Sequence, residues 1–274
     1  MYKNKISVFL PSSFVSETKD VKLRTAKVGI IARALSVFRV NDIVIYNDGS
    51  LNDDIAKKDA DFMSEILGYM DTPQYLRKRA FPIKRELQHV GILPPLRTPH
   101  HPLSGEIKVG EYRQGFTVKR NKKGTYIDIG IDDLVFCKEQ LSVNEVYSFK
   151  ITKIAKEIIV TPDEPDDIYW GYKVQSSNKS LKNSLKLLNP DFVILTTRYG
   201  DEINSIFDEL KDKVNTSKNT AILFGGPFTS IDNEVLNYSA EVCKLNSVPS
   251  QGTETVRSEE AIIATLSIIN IMLN

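Results

Sequence analysis

Two textures of apolar and polar residues alternate along this chain, and the switch between them happens twice. Near the start, Ile6-Ser7-Val8-Phe9-Leu10 is an almost continuous apolar run and predicts a strand over 5–11. Further on, Ile30, Ile31, Ala34, Leu35 and Phe38 recur at helical spacing behind Asp20, which predicts a long helix over 20–40. A β-branched run at 42–46 predicts a buried strand, and Asn47-Asp48-Gly49-Ser50 is turn chemistry. A second amphipathic helix follows at 53–70. Pro73 opens a short third helix that ends in Arg77-Lys78-Arg79.

From Gly91 to about Val160 the helical period disappears. The proline-rich Gly91-Ile92-Leu93-Pro94-Pro95 leads into short alternating runs at 111–119, 125–131, 134–137, 147–154 and 157–161. Five short strands in so few residues predict a small barrel, most simply an OB-like one. The acidic, proline-containing stretch from Thr161 to Asp167 marks its exit. The first texture then resumes, with strands at 169–174, 191–197, 220–224 and 240–246 and helices at 180–189, 202–214 and 258–273. Strands alternating with helices imply a parallel sheet covered on both faces. The expected architecture is therefore one α/β domain built from both chain ends (1–88 and 165–274), interrupted by an OB-like insertion at 89–164. The last helix, Ala261 to Leu273, is apolar on nearly every side, so more than one partner surface is expected to cover it.

Composition is that of an ordinary globular protein: 274 residues, 41% hydrophobic and 26% charged. The two cysteines, Cys137 and Cys243, form neither a disulfide framework nor a C-x-x-C metal pair, and we expect a reducing compartment, the cytoplasm. Apolar tracts are too short for a membrane span, and His100-His101, adjacent and without a spaced acidic partner, make poor metal ligands, so neither membrane nor metal is expected. Charge is unevenly placed. The span from Arg77 to Lys123 holds twelve basic and three acidic side chains, a local +9 against −8 for the remainder. Such a segment points to a polyanion partner. Within it Tyr112, Phe116 and Tyr126 interleave with Arg113, Lys119, Arg120, Lys122 and Lys123, a mixture suited to looped or single-stranded RNA.

The candidate chemistry lies in the last third. Phe224-Gly225-Gly226-Pro227 closes one strand, and Asn246-Ser247-Val248-Pro249-Ser250-Gln251-Gly252-Thr253 follows another. Glycine-rich loops at carboxyl ends of strands are where an open α/β sheet takes a ligand. No G-x-G-x-x-G or P-loop is present, so neither phosphate-cradling fingerprint applies.

Taken in order, Arg33-Ala34-Leu35-Ser36-Val37-Phe38-Arg39-Val40, Thr72-Pro73-Gln74-Tyr75-Leu76-Arg77-Lys78, Gly91-Ile92-Leu93-Pro94-Pro95-Leu96, Tyr112-Arg113-Gln114-Gly115, Thr197-Arg198-Tyr199-Gly200 and the two loops above resemble the SPOUT superfamily of trefoil-knot methyltransferases. More narrowly, the chain resembles its archaeal and eukaryotic RNA uridine-N3 methyltransferases, which carry an OB-type insertion. The resemblance implies a C-terminal knot, a homodimer, an RNA substrate (ribosomal RNA above all) and S-adenosyl-L-methionine as cofactor. It places the cofactor on Arg198 and Gly200, on Gly225 and Gly226, and on Asn246, Val248 and Thr253. It also suggests Arg33 as a catalytic arginine supplied across the dimer. The family often has an arginine after the Gly-Thr pair, where this chain has Glu254. Two alternatives stay open at this level: the same fold acting on a ribose 2′-hydroxyl or another base, and a non-catalytic RNA-binding assembly protein.

Overall fold

The computed structural model describes residues 4–102, 105–226 and 238–274. In chain order the elements are β1 (Lys5–Pro11), α1 (Val21–Val37), β2 (Asp42–Asn47), α2 (Asp53–Asp71) and α3 (Gln74–Ala80), then β3 (Tyr112–Asn121), β4 (Gly124–Asp128), β5 (Val135–Cys137), β6 (Val146–Lys153) and β7 (Ile159–Pro162). There follow β8 (Lys173–Ser180), α4 (Leu181–Leu188), β9 (Phe192–Glu202), α5 (Ile203–Thr216), β10 (Asn219–Leu223), β11 (Glu241–Asn246) and α6 (Ser258–Met272). The chain divides into two compact units, one of residues 69–88 and 95–171, the other of 4–68, 89–94 and 172–274.

The second unit is built on a six-stranded sheet, counted among the described residues, in the order β11-β9-β10-β1-β2-β8 with every pairing parallel. Strands β1 and β2 are buried along almost their whole length because both sheet faces are covered, which is why they read as unbroken apolar runs. On one face Phe9, Val44, Tyr46, Val193, Leu195, Ala221 and Leu223 pack against Leu181 and Leu185 of α4. Helix α1 starts where Asp20 accepts a hydrogen bond from the Leu23 amide, an N-cap, and it packs against α6. Helix α6 buries Ile262, Thr265, Leu266, Ile269 and Met272, while Ile263 and Ile271 stay 41% and 62% exposed. A single subunit thus covers one side of a helix that is apolar all round.

In the first unit β3-β4-β5-β7-β6 close into a barrel. Its interior holds Ile127, Ile129, Val135, Cys137, Phe149, Ile151 and Val160. Helix α3 joins this unit: the Tyr75 hydroxyl donates to the Gln114 carbonyl at 2.8 Å, and Arg79 pairs with Asp128 at 2.6 Å. One sequence expectation is corrected. The strand expected at 169–174 begins only at Lys173. Gly171 takes φ +86°, outside strand geometry, and a side chain there would strike Asp71 and His100. Trp170 packs within the barrel unit, its indole N–H donating to the Ser148 hydroxyl at 2.8 Å.

Candidate functional site

The sheet's carboxyl edge carries a cleft of about 660 Å³, of the size that holds a cofactor-sized ligand (roughly 300–1,000 Å³). The first wall comes from an interruption in β9. Lys244 of β11 lies opposite Leu195, yet its neighbour Leu245 lies opposite Asp201, so residues 196–200 leave the ladder as a loop. Gly200 closes that loop so tightly that a Cβ would sit 2.6 Å from the Lys244 carbonyl. The Asn246 amide donates to the Arg198 carbonyl at 3.3 Å and its oxygen accepts from the Val248 amide at 3.1 Å, which ties the first loop to the one after β11. The Arg198 guanidinium is exposed, donates to the Glu254 carbonyl at 3.1 Å and lies over the Tyr199 ring. Glu254 thus presents its backbone oxygen to Arg198.

The second wall follows β10. The Thr196 hydroxyl donates to the Leu223 carbonyl at 2.7 Å and the Tyr46 hydroxyl to the Phe224 carbonyl at 2.8 Å, fixing the strand end from both sides. At Gly226 a Cβ would lie 2.3 Å from the Asp48 carboxylate and 2.6 Å from the Ser13 hydroxyl, which bond each other at 2.6 Å. The backbone therefore passes where no side chain fits. Pro227 of the same motif lies outside the described residues.

Of the cofactor residues expected from the sequence, Arg198, Gly225, Gly226, Asn246 and Val248 line this cleft, whereas Gly200 and Thr253 do not. Gly200 shapes the loop from behind, and the Thr253 hydroxyl is turned to the Thr255 carbonyl. Arg33 does not line the cleft either; it is half-buried on α1. Charged residues not expected there also line the cleft: Lys27 of α1, Glu17, Arg257 at the N-cap of α6 and Glu259 in its first turn. An acid in the first turn of the helix that follows the third loop was a usable signal. Lys27 offered none, since a lysine among apolar helix positions reads as a solvated edge.

Elsewhere, the barrel hairpin β3–β4 presents Lys119, Arg120, Lys122 and Lys123 to solvent, with the Lys119 ammonium over the Tyr126 ring at 5.0 Å. Arg113 departs from them. It is 1% exposed, pairs with Glu111 at 2.7 Å and donates to the Glu106 carbonyl, so it holds the barrel's edge and offers RNA no surface. His100 and His101 both direct Nε2 at the Asp71 carbonyl, at 2.7 and 2.6 Å, a structural arrangement. Among the described residues no three acidic, histidine or cysteine side chains gather as a metal site, and no helix is long and apolar enough to cross a membrane.

A parallel sheet with a backbone-walled ligand cleft at its strand ends, joined in one chain to a small barrel with a cationic hairpin, is the architecture of an enzyme that brings a small ligand to a polyanion. The chain belongs to the family described as "Putative RNA methyltransferase", whose model matches residues 5–269. It is 27% identical, over 96% of its length, to proteins named 28S rRNA (uridine-N(3))-methyltransferase from Drosophila melanogaster and Homo sapiens, of which it covers 61% and 77%. It is 28% identical, over 95% of its length, to an uncharacterized protein of Halobacterium salinarum and covers 96% of that protein. The protein is thus an RNA methyltransferase, and its reaction needs a methyl donor.

Proposed function

We propose that the protein methylates N3 of a uridine in ribosomal RNA with S-adenosyl-L-methionine as donor. The observation that carries this is the match along nearly the whole chain to relatives named for that reaction. The cleft supports it. A sulfonium donor is already activated, so placement is the main demand on the protein. Phe224, Leu245, Val248 and Val256 supply apolar wall, and the stretches 196–198 and 225–226 bring backbone to the cleft, as a flat base and a sugar require. The residues assigned to the donor are Arg198, Gly225, Gly226, Asn246 and Val248 in the cleft, with Gly200 and Thr253 shaping the loops.

The sheet unit (4–68, 89–94 and 172–274) is read as a SPOUT domain with a trefoil knot, and the barrel unit (69–88 and 95–171) as the part that delivers RNA through Lys119, Arg120, Lys122 and Lys123. The protein is read as a homodimer. Leu23, Ile30 and Val37 recur every seven residues along α1, the helix that packs against α6, and are 50–61% exposed. Arg33, outside its own subunit's cleft, would serve a site only across that interface. Incubating the purified protein with the labelled donor and ribosomal RNA, then digesting to nucleosides, tests the reading. 3-Methyluridine is the expected product; a ribose-methylated nucleoside or no product overturns it.

A further inference from the structure

The cleft holds a cation that the sequence pattern did not point to, and its setting is not that of a surface lysine. Lys27 leaves α1 with its side chain 13% exposed. Its ammonium donates to the Phe14 carbonyl at 3.0 Å, stands 4.5 Å from the centre of the Phe14 ring, and faces Glu259 Oε2 at 3.2 Å. Glu259 is itself 16% exposed and sits at the amino end of α6, where the helix favours a carboxylate. An ammonium has three N–H donors. The Phe14 carbonyl takes one of them, the Glu259 carboxylate balances the charge as an ion pair, and both Lys27 and Glu259 line the cleft into which the loops 196–198, 224–226 and 245–248 open. The ammonium is therefore anchored at the cleft wall with donor capacity beyond the Phe14 carbonyl, its desolvation offset by the partner carboxylate.

That placement answers a requirement of the reaction. The imide N3–H of uracil is a weak acid and N3 is not a nucleophile until that proton leaves. The resulting negative charge spreads over N3 and the two flanking carbonyl oxygens. A donor aimed at one of those oxygens is worth more to the anion than to the neutral base, which is the condition for accelerating the step. Of the other charged groups lining the cleft, Arg198 is turned to the Glu254 carbonyl and the Tyr199 ring, Arg257 is an exposed side chain at the N-cap of α6, and Glu17 is an exposed acid.

We propose that Lys27 is the catalytic cation of this cleft, donating to a uracil carbonyl oxygen and stabilising the N3 anion, with Glu259 as the positioning residue that holds the ammonium. This rests on the N3 reading above. The N3 proton passes to solvent. The N3 lone pair then forms the N–CH₃ bond while the S–CH₃ bond breaks, its electron pair staying on sulfur.

The test uses the full-length protein, ribosomal RNA and the Lys27→Met, Lys27→Arg, Glu259→Gln and Arg33→Met variants, each checked by thermal melting. Lys27→Met keeps an unbranched stem over Phe14 and removes the charge. It is expected to lower kcat about 100-fold at neutral pH, the order of loss when one preorganised donor is removed, with KM for RNA nearly unchanged. Its rate should go on rising with pH after the wild type has levelled off. RNA carrying 5-fluorouridine at the target has a more acidic N3–H and should recover much of the loss. Lys27→Arg should retain more activity than Lys27→Met, and Glu259→Gln should move the pH profile in the same direction by less. Calorimetry should give Lys27→Met wild-type affinity for S-adenosylhomocysteine. Loss of that affinity would assign Lys27 to the donor's carboxylate and overturn the proposal. So would an unshifted pH profile in a folded Lys27→Met protein, or a shift found only in Arg33→Met. A wild type that methylates an atom other than N3 fails the parent reading before any variant is assayed, and this assignment with it.

Discussion

At the residue scale, the site rests on close backbone approaches that tolerate no Cβ. Gly200→Ala puts a methyl 2.6 Å from the backbone of Lys244, and that backbone cannot yield without disturbing the β9–β11 pairing. A loss of about 1–3 kcal/mol is expected in urea unfolding, together with weaker binding of S-adenosylhomocysteine. At His101, burial first, and then neighbouring His100, push the imidazole pKa down to about 4 from 6.5. A folded-state pKa below the unfolded one means that the unfolded chain takes up the proton first. The histidine's contribution is therefore intact above pH 6.5 and is lost progressively as pH falls toward 4, by at most about 3 kcal/mol. His101→Gln keeps a donor for the Asp71 carbonyl and should lose less stability than the wild type between pH 7 and pH 4.5, measured by urea unfolding at both. Single residues were the least legible level of the sequence. The glycines of the two loops stood out because glycine reports backbone crowding directly. Arg113 looked like its cationic neighbours, because nothing in β3 announces that it is the one turned toward Glu111 and Glu106.

At the scale of elements, the strands and helices of the sheet unit were legible, because burial on both faces makes strands continuous and helices periodic. The start of β8 was not. Tyr169, Trp170 and Tyr172 have strand-like composition, but Gly171 with φ +86° breaks the extended path between them. The pairing shift within β9 was invisible too, since a loop expelled between two paired segments depends on the register of a strand far along the chain. The β3–β4 hairpin is the element on which RNA binding should be tested. Replacing Lys119, Arg120, Lys122 and Lys123 with glutamine should lower RNA affinity and flatten its salt dependence by about one unit of slope for each phosphate no longer neutralised. Affinity for S-adenosylhomocysteine should stay at the wild-type value. An unchanged salt slope in filter binding would leave the hairpin as a solvated face.

At the scale of the whole molecule, the division into a parallel sheet and a barrel was legible from the change of period along the chain, whereas the strand order was not, because periodicity does not say which strands are neighbours. The open faces of α1 and α6 carry the assembly prediction. Ile30→Asp with Ile271→Asp, both exposed in one subunit, should convert a dimer to a folded monomer in sedimentation, with melting temperature and far-ultraviolet spectrum little changed. A wild type that sediments as a monomer at micromolar concentration sinks the idea. The strand order has a further consequence, for a chain emerging from a ribosome. Strand β1 lies between β2 and β10, and Lys5 at its start stands beside Asn219, so the first strand made must wait for one of the last. Barrel strands β3 to β7 find all their partners within 112–162. Synthesis at about 5–20 residues per second leaves the apolar β1 without its β10 partner for roughly ten seconds or more, and for roughly the last 3–12 seconds of that wait every barrel strand has already been made. Nascent chains arrested just before β10, with residues 112–162 clear of the exit tunnel, should therefore show a protease-resistant barrel and a cleavable N-terminal segment, and only release of the full chain should protect both.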